Sequence, residues 1–443
     1  MQTNKRISPV SVEATFPTVL NAIASVNVNE LVRVYGTPLY VYDAAKIVES
    51  LADLARWDVV RYAQKACSNL AILDLVRRHG ALVDCVSEGE LRRALRAGFS
   101  PHGDPPPVVF TADVFDRGTL EFVVERNIHV NCGSPDMIEQ LGRRAPGREI
   151  TLRINPGFGH GHSQKTNTGG EQSKHGIWHE QLGECLRRAD HHGLCVTGLH
   201  MHIGSGTDLE HLSRVAAAME KAAVEVGRML KTVSAGGGLP IPYQEGERPI
   251  DLGAYFELWD TMRRRLEASF GHPVSLEIEP GRYIAAESGF LVAELRAVKQ
   301  MGKNTFYLLD AGFNTLPRPI LYGAYHPISI VPAEGSSDQR PLGEVVVGGP
   351  LCESGDIFTQ REGGFVETRR LPQASVGERL VFHCAGAYAS VMASNYNSHY
   401  LPAEVLIEDG RPRLIRRRQT FDDLIRGETT AAQSDAWPGL ERK

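Results

Sequence analysis

The sequence lacks most of the features that would classify it at a glance. Its seven cysteines, at 67, 85, 132, 185, 195, 352 and 384, contain no Cys-x-x-Cys pair, which excludes a disulfide framework or a zinc knuckle and fits a reducing compartment. No segment approaches the roughly 18 consecutive apolar residues of a membrane span. The opening Met-Gln-Thr-Asn-Lys-Arg is followed by Ser, Glu, Thr, Pro and Asn, which interrupt any signal-peptide core. A cytoplasmic location without membrane contact is therefore expected. Neither charge sign dominates: a net −5 over 443 residues gives no field for nucleic acid, so an anionic ligand would need a local cationic pocket.

Other absences concern motifs. Gly-Phe-Gly-His-Gly-His at 157–162 has neither GxGxxG nor Walker spacing, so nucleotide binding there is rejected. There are 16 histidines, His160, His162 and His175 among them, but no HExxH or Cys/His ligand spacing, and no metal is expected. The basic run Arg411–Arg418 reads as a charged strand edge.

What is present is a regular alternation. The length exceeds what one hydrophobic core serves, so more than one domain is expected. Eight β-rich runs, Val59–Ala63, Ala81–Cys85, Val108–Ala112, His129–Cys132, Ile150–Asn155, Cys195–Ile203, Thr232–Ala235 and Val274–Ile278, are separated by helical patterns such as Leu70–His79, Glu88–Ala97, Pro135–Arg144 and Leu209–Leu230. Eight βα units in roughly 225 residues predict a (β/α)8 TIM-like barrel. After Arg282 the texture becomes strand-like: Phe290–Val298, Thr305–Leu309, Glu344–Val347, Arg379–His383 and Glu404–Ile407. The expected division is an N-terminal segment 1–42, whose strand-like Thr37–Tyr42 joins the β domain, a barrel over 43–283, a C-terminal β domain over 284–430 and a tail over 431–443. Pro101–Pro107 is a loop of the barrel.

In such barrels the chemistry sits at the C-terminal ends of the strands. There the sequence places Lys65, Asp84, His202, Gly236-Gly237-Gly238 and Glu279-Pro280-Gly281-Arg282. A lysine at a strand end is ordinarily a solvated surface charge. Tyr62, Ala63, Ala66 and Cys67 predict an apolar setting that would favour the neutral amine and Schiff-base chemistry. Three glycines after the seventh strand are either a tight turn or a backbone cradle that lets a phosphate approach the N–H groups, and Arg282 supplies the nearby cation. Glu279 is either a structural ion-pair partner or the carboxylate that keeps a pyridine nitrogen protonated. His202 is either a satisfied core histidine or a ring stacked on a planar cofactor.

Seven strings then carry a resemblance. They are Tyr-Ala-Gln-Lys-Ala-Cys-Ser-Asn (62–69), Val-Asp-Cys-Val-Ser-Glu-Gly-Glu-Leu (83–91), the run from Asn155 to Gly170, His-Met-His-Ile-Gly-Ser (200–205), Glu-Pro-Gly-Arg (279–282), Cys-Glu-Ser-Gly-Asp (352–356) and Ser-Asn-Tyr-Asn-Ser (394–398). In number and order they resemble the fold-type III pyridoxal-phosphate-dependent decarboxylases, most closely the diaminopimelate decarboxylase family. The resemblance implies an alanine-racemase-like barrel with a β domain, and pyridoxal 5'-phosphate as cofactor. It implies that Lys65 holds the cofactor, His202 stacks on the ring, Ser205 and Gly236–Gly238 bind phosphate, Glu279 pairs with the ring nitrogen and Arg282 lies between phosphate and substrate carboxylate. It further implies a homodimer with shared sites. Cys352 of the second subunit would donate the proton, Glu353 would meet the distal amino group, Arg318 and Tyr322 the distal carboxylate, and Tyr388 both cofactor and substrate.

The activity so implied is decarboxylation of meso-2,6-diaminopimelate to L-lysine. Other substrates on the same barrel are ornithine, lysine, arginine or a polyamine or siderophore intermediate, and Arg318 argues against a cationic distal group. Racemases of this fold place a cation at the ring nitrogen, where this chain has Glu279. A non-catalytic pyridoxal-phosphate binder would be expected to lose Cys352 or Arg318. Two positions depart from the family pattern: His399-Tyr400 after Asn-Tyr-Asn-Ser, and Ala-Ser after Tyr388.

Overall fold

All eight predicted barrel strands form, and their order is the order of the chain. The computed structural model describes residues 13–159, 167–204, 208–337 and 339–430. The strands are β1 (Val59–Ala63), β2 (Leu82–Cys85), β3 (Val108–Ala112), β4 (His129–Cys132), β5 (Glu149–Asn155), β6 (Cys195–His200), β7 (Thr232–Ser234) and β8 (Ser275–Ile278). Each pairs in parallel with the next, and β8 closes on β1 through Glu277↔Val59 and Ile278↔Val60. The strands are largely buried, yet several alternate polar with apolar residues, as in Glu-Ile-Thr-Leu-Arg-Ile-Asn of β5 and His-Val-Asn-Cys of β4.

Short polar residues start the intervening helices. Asn69, Ser87 and Ser134 each accept a hydrogen bond from a backbone N–H of the following first turn, which sets helices Leu70–Arg78, Glu88–Arg96 and Pro135–Arg144 immediately after β1, β2 and β4. The long helix expected to reach Leu230 stops at Val226, because Gly227 turns left-handed (φ 77°) and a single 3-10 turn follows.

A second sheet is built around the 13-residue strand Gly289–Met301. That strand pairs antiparallel with Asn304–Leu309, with Arg379–Phe382 and with the N-terminal strand Leu39–Asp43, which in turn runs parallel to Ala403–Glu408. The sequence therefore crosses from sheet to barrel and back. Arg411–Arg416 forms the outer edge beyond Ala403–Glu408, where its arginines discourage further pairing. Two strands went unpredicted, Ile328–Val331 and Arg369–Pro372. The first is four buried residues with no alternation, and the second ends on proline.

Two devices aim the second sheet at the barrel mouth. The loop after Arg379–Phe382 wedges against the barrel so closely that a Cβ on Gly386 would lie 1.8 Å from the Ala285 carbonyl oxygen. It ends on Tyr388, held left-handed (φ 59°), with its N–H bonded to the Ala66 carbonyl at 2.9 Å. The short helix Arg318–Tyr322, ended by left-handed Gly323, presents Arg318 and Tyr322 one turn apart on a single face.

Candidate active site

The two sheets enclose a cavity of about 470 Å³ at the C-terminal mouth of the barrel. Lys65, Asp84, His202, Gly237, Gly238, Glu279 and Arg282 line it from the barrel, and Arg318, Tyr322 and Tyr388 from the second sheet. Gly236 lies immediately behind it. Cys352 and Glu353 are elsewhere: both are exposed, on a loop where the Cys352 N–H donates to Asn397 Oδ1 at 2.8 Å. Ser205, His160 and His162 fall outside the described residues, as do residues 1–12 and 431–443.

Charge in this cavity is asymmetrically compensated. Glu279 is buried, which alone would raise its carboxyl, but His200 Nε2 donates to Oε2 at 2.7 Å, Arg61 lies near and Ser234 Oγ donates to Oε1 at 3.1 Å. The net effect holds Glu279 ionised, well below the usual carboxylate range. Asp84 moves the other way: burial and the nearby Glu279 charge push it up, against the pull of Lys65. Burial and the Lys65 charge drive His202 well below an ordinary histidine, so its imidazole is neutral.

Arg282 and Arg318 both line this cavity, and among the described residues neither forms an ion pair. Arg282 Nη1 donates to the Tyr243 hydroxyl at 2.7 Å and its Nε has no partner; Arg318 Nη1 donates to His326 Nε2 at 3.0 Å. Both are buried, and among the described residues neither meets a carboxylate. Their guanidinium groups lie against Tyr243, at 5.7 and 4.8 Å from the ring centroid, and Arg282 also against Tyr388 at 5.2 Å. A buried cation without an anion is costly, and two such cations facing one cavity describe a site shaped for an anionic ligand.

One expectation is corrected by this geometry, and another gains a second reason. The apolar residues around Lys65 are packed beneath it, whereas the lysine side chain is itself exposed, on the wall that carries Asp84. Its setting is anionic, not apolar. Backbone packing adds a second requirement for the three glycines. A Cβ on Gly236 would lie 2.4 Å from the Met201 carbonyl oxygen, on Gly237 2.5 Å from that of Glu279, and on Gly238 2.2 Å from that of Gly204. The ends of β6, β7 and β8 approach too closely for any side chain.

Sequence reasoning missed several residues. His200 is the partner of Glu279, and its signal was its place two residues before His202, at the end of β6. Arg153 and Thr111 line the cavity from β5 and β3, and Tyr243 from the loop after β7. Glu90, bonded to the Val86 N–H at 2.8 Å, is pushed up to about 7 by burial. His175, weighed as a metal ligand, instead bonds Asp113 at 2.7 Å.

Four buried polar atoms of cavity-lining residues lack a hydrogen-bond partner among the described residues: Asp84 Oδ1, His200 Nδ1, His202 Nδ1 and Arg282 Nε. With the neutral His202 ring, the ionised Glu279 and a primary amine at Lys65, this donor set fits a planar aldehyde bearing a basic ring nitrogen and an anionic arm. No helix of the described residues is long and apolar enough to cross a membrane.

Comparison with known proteins agrees. The family model for the pyridoxal-dependent decarboxylase pyridoxal binding domain matches residues 44–286. The chain is 54% identical over 400 residues to the diaminopimelate decarboxylase of Escherichia coli strain K12, covering 90% of this chain and 95% of that protein. It is 56% identical over 391 residues to the diaminopimelate decarboxylase of Streptomyces coelicolor, covering 88% and 89%. A crystal structure of a diaminopimelate decarboxylase superposes with a TM-score of 0.87 at 54% identity, covering 90% and 94%.

Proposed function

Since the chain belongs to the diaminopimelate decarboxylases of the pyridoxal-dependent decarboxylase family, we propose that the cavity between its two sheets is the site where it breaks the carbon–carboxylate bond. The enzyme is a carboxy-lyase that converts meso-2,6-diaminopimelate to L-lysine and carbon dioxide, the last step of lysine biosynthesis, with pyridoxal 5'-phosphate. The bound cofactor supplies the electron sink for the bond that breaks.

The chain's own residues do the positioning. Lys65 holds the cofactor through its amine. Glu279, kept ionised by His200, fixes a proton on the ring nitrogen, and neutral His202 offers a flat face to the ring. Arg282 and the N–H groups of Gly236–Gly238, with Ser205, take the phosphate, and Asp84 and Tyr388 complete the cofactor's surroundings. Arg318 and Tyr322 bind the far carboxylate, so the scissile bond is presented in one orientation. The observation that carries this reading is the pair of buried arginines without carboxylates opposite the ionised Glu279: a doubly anionic ligand set is what neutralises them.

Cys352 and Glu353 do not line this cavity and are exposed, which supports a homodimer in which a second copy brings them to the site. There the Cys352 thiol hands a proton to the carbon that lost carbon dioxide, and Glu353 meets the distal amino group. A barrel unit over 43–283, a β unit over 284–430 joined by the strand within 1–42, and a cytoplasmic setting for seven free thiols complete the proposal. Lys65→Ala and Cys352→Ala are each expected to be inactive. Mixed and allowed to exchange subunits, they should regain about a quarter of wild-type carbon dioxide release, since one heterodimer site in two is intact. No recovery despite demonstrated exchange would refute the shared site.

A further inference from the structure

Arg318 is fixed by a histidine that does not touch the cavity. His326 is 3% exposed and lies behind Arg318, with Nε2 3.0 Å from Arg318 Nη1 and Nδ1 2.9 Å from the His383 carbonyl oxygen. A guanidinium only donates and a carbonyl only accepts, so one arrangement satisfies both: Nε2 bears the lone pair and Nδ1 the hydrogen. His383 is itself anchored through Nε2 to Ser329 Oγ at 2.7 Å, on the buried strand Ile328–Val331. The Tyr243 ring meets His326 edge-on, with centroids 5.7 Å apart at 82°, and lies against the Arg318 guanidinium at 4.8 Å. The guanidinium is thus held by His326 at one N–H and by Tyr243 through its ring and its hydroxyl, on the wall of the cavity.

We propose that His326 is a positioning residue for diacid recognition, orienting Arg318 so that the substrate's distal carboxylate meets a preset pair of donors. The inference rests on the assignment of Arg318 to that carboxylate and deepens it. Without an acceptor at His326 Nε2, Arg318 keeps its charge but not its direction, so binding of the carboxylate weakens while the chemistry at the other end of the substrate continues. Burial and the Arg318 charge also keep His326 neutral, as this role requires.

The test uses the holoenzyme and two ligands differing by the group in question. L-lysine carries a carboxylate, whereas cadaverine has the same carbon chain and both amines without it. His326→Asn keeps a donor for the His383 carbonyl and withdraws the acceptor from Arg318; His326→Gln keeps an acceptor within reach of Arg318. In His326→Asn the KM for meso-diaminopimelate and the inhibition constant of lysine should both rise roughly tenfold, as for loss of a supporting hydrogen bond to a charged group. kcat and cadaverine inhibition should stay near wild type, and His326→Gln should recover most of the lysine affinity. Equal weakening of lysine and cadaverine, or of neither, would overturn the positioning role, leaving His326 a packing residue. Arg318→Met separates the two claims. If it weakens lysine selectively while His326→Asn does not, only the His326 inference falls; if it leaves the lysine-to-cadaverine ratio unchanged, the assignment of Arg318 falls and takes the inference with it.

Discussion

The protein buries arginines in two ways. Arg61, in the middle of β1, is 2% exposed and meets Glu277 of β8 through two bonds, Nε to Oε2 at 2.7 Å and Nη2 to Oε1 at 2.8 Å, with Nη1 donating to the Pro106 carbonyl. Its charge is cancelled within the chain, beside a polar cavity of about 900 Å³ that reaches the loop at Pro105 and Pro106. Arg282 and Arg318, 7% and 6% exposed at the opposite mouth, have tyrosines and a histidine for neighbours and, among the described residues, no carboxylate partner. Burial of a cation is therefore not the mark of a binding site. The missing anion is.

The largest effect that would break this contrast lies at the compensated end. Glu277→Gln removes one partner of a closed ion pair and leaves Arg61 buried with its charge uncancelled. A loss of about 3–5 kcal/mol in unfolding free energy is expected, read from denaturant titration. The Michaelis constant of the folded enzyme should change little, because Glu277 does not line the catalytic cavity. A loss below about 1 kcal/mol would mean that Arg61 is no better paired than Arg318.

Asp84 extends the contrast to carboxylates and makes it depend on pH. Glu279 is depressed to about 2, so its contribution to stability is complete above its unfolded value of about 4.3 and is lost as pH falls through 2. Asp84 is raised to about 6. Its contribution is complete below its unfolded value of about 3.9 and is lost as pH rises through 6, so above that its ionisation opposes folding. The cofactor-free Asp84→Asn variant should lie close to wild type near pH 4 and exceed it by about 3 kcal/mol at pH 8. Thermal unfolding across that range decides it; a difference independent of pH would show that Asp84 is compensated after all.

How far the sequence foretells this site depends on where each residue comes from. Lys65, Asp84, His202 and Glu279 follow regular strands, so counting eight runs placed them at one mouth before any coordinates. Tyr243 and His326 could not be placed that way. One follows β7 in an irregular loop, the other sits between a short helix and an unpredicted strand, and they meet only because the second sheet folds over the barrel. The glycines were found, but their packing was not: the crowding of three strand ends is a distance between backbones, which no local pattern records. Cys352 is legible only as a motif, since it lies on an exposed loop away from the cavity. The edge role of Arg411–Arg416 and the insertion of Leu39–Asp43 into the second sheet could be read directly, because both rest on composition and alternation.

The smallest expected change in stability is at the uncompensated end. Arg318→Met removes a buried cation that burial already disfavours, and the thioether can rest against the Tyr243 ring where the guanidinium lay. Against this, His326 Nε2 loses its donor, and a buried acceptor left unsatisfied costs about 1–3 kcal/mol. The two terms oppose each other, so the cofactor-free variant should unfold within about 1 kcal/mol of wild type, in either direction. A thermal midpoint as far below wild type as that of Glu277→Gln would show that Arg318 is paired within the chain and that its charge is structural. A midpoint near wild type, with affinity for L-lysine sharply reduced, would place the missing anion on the ligand.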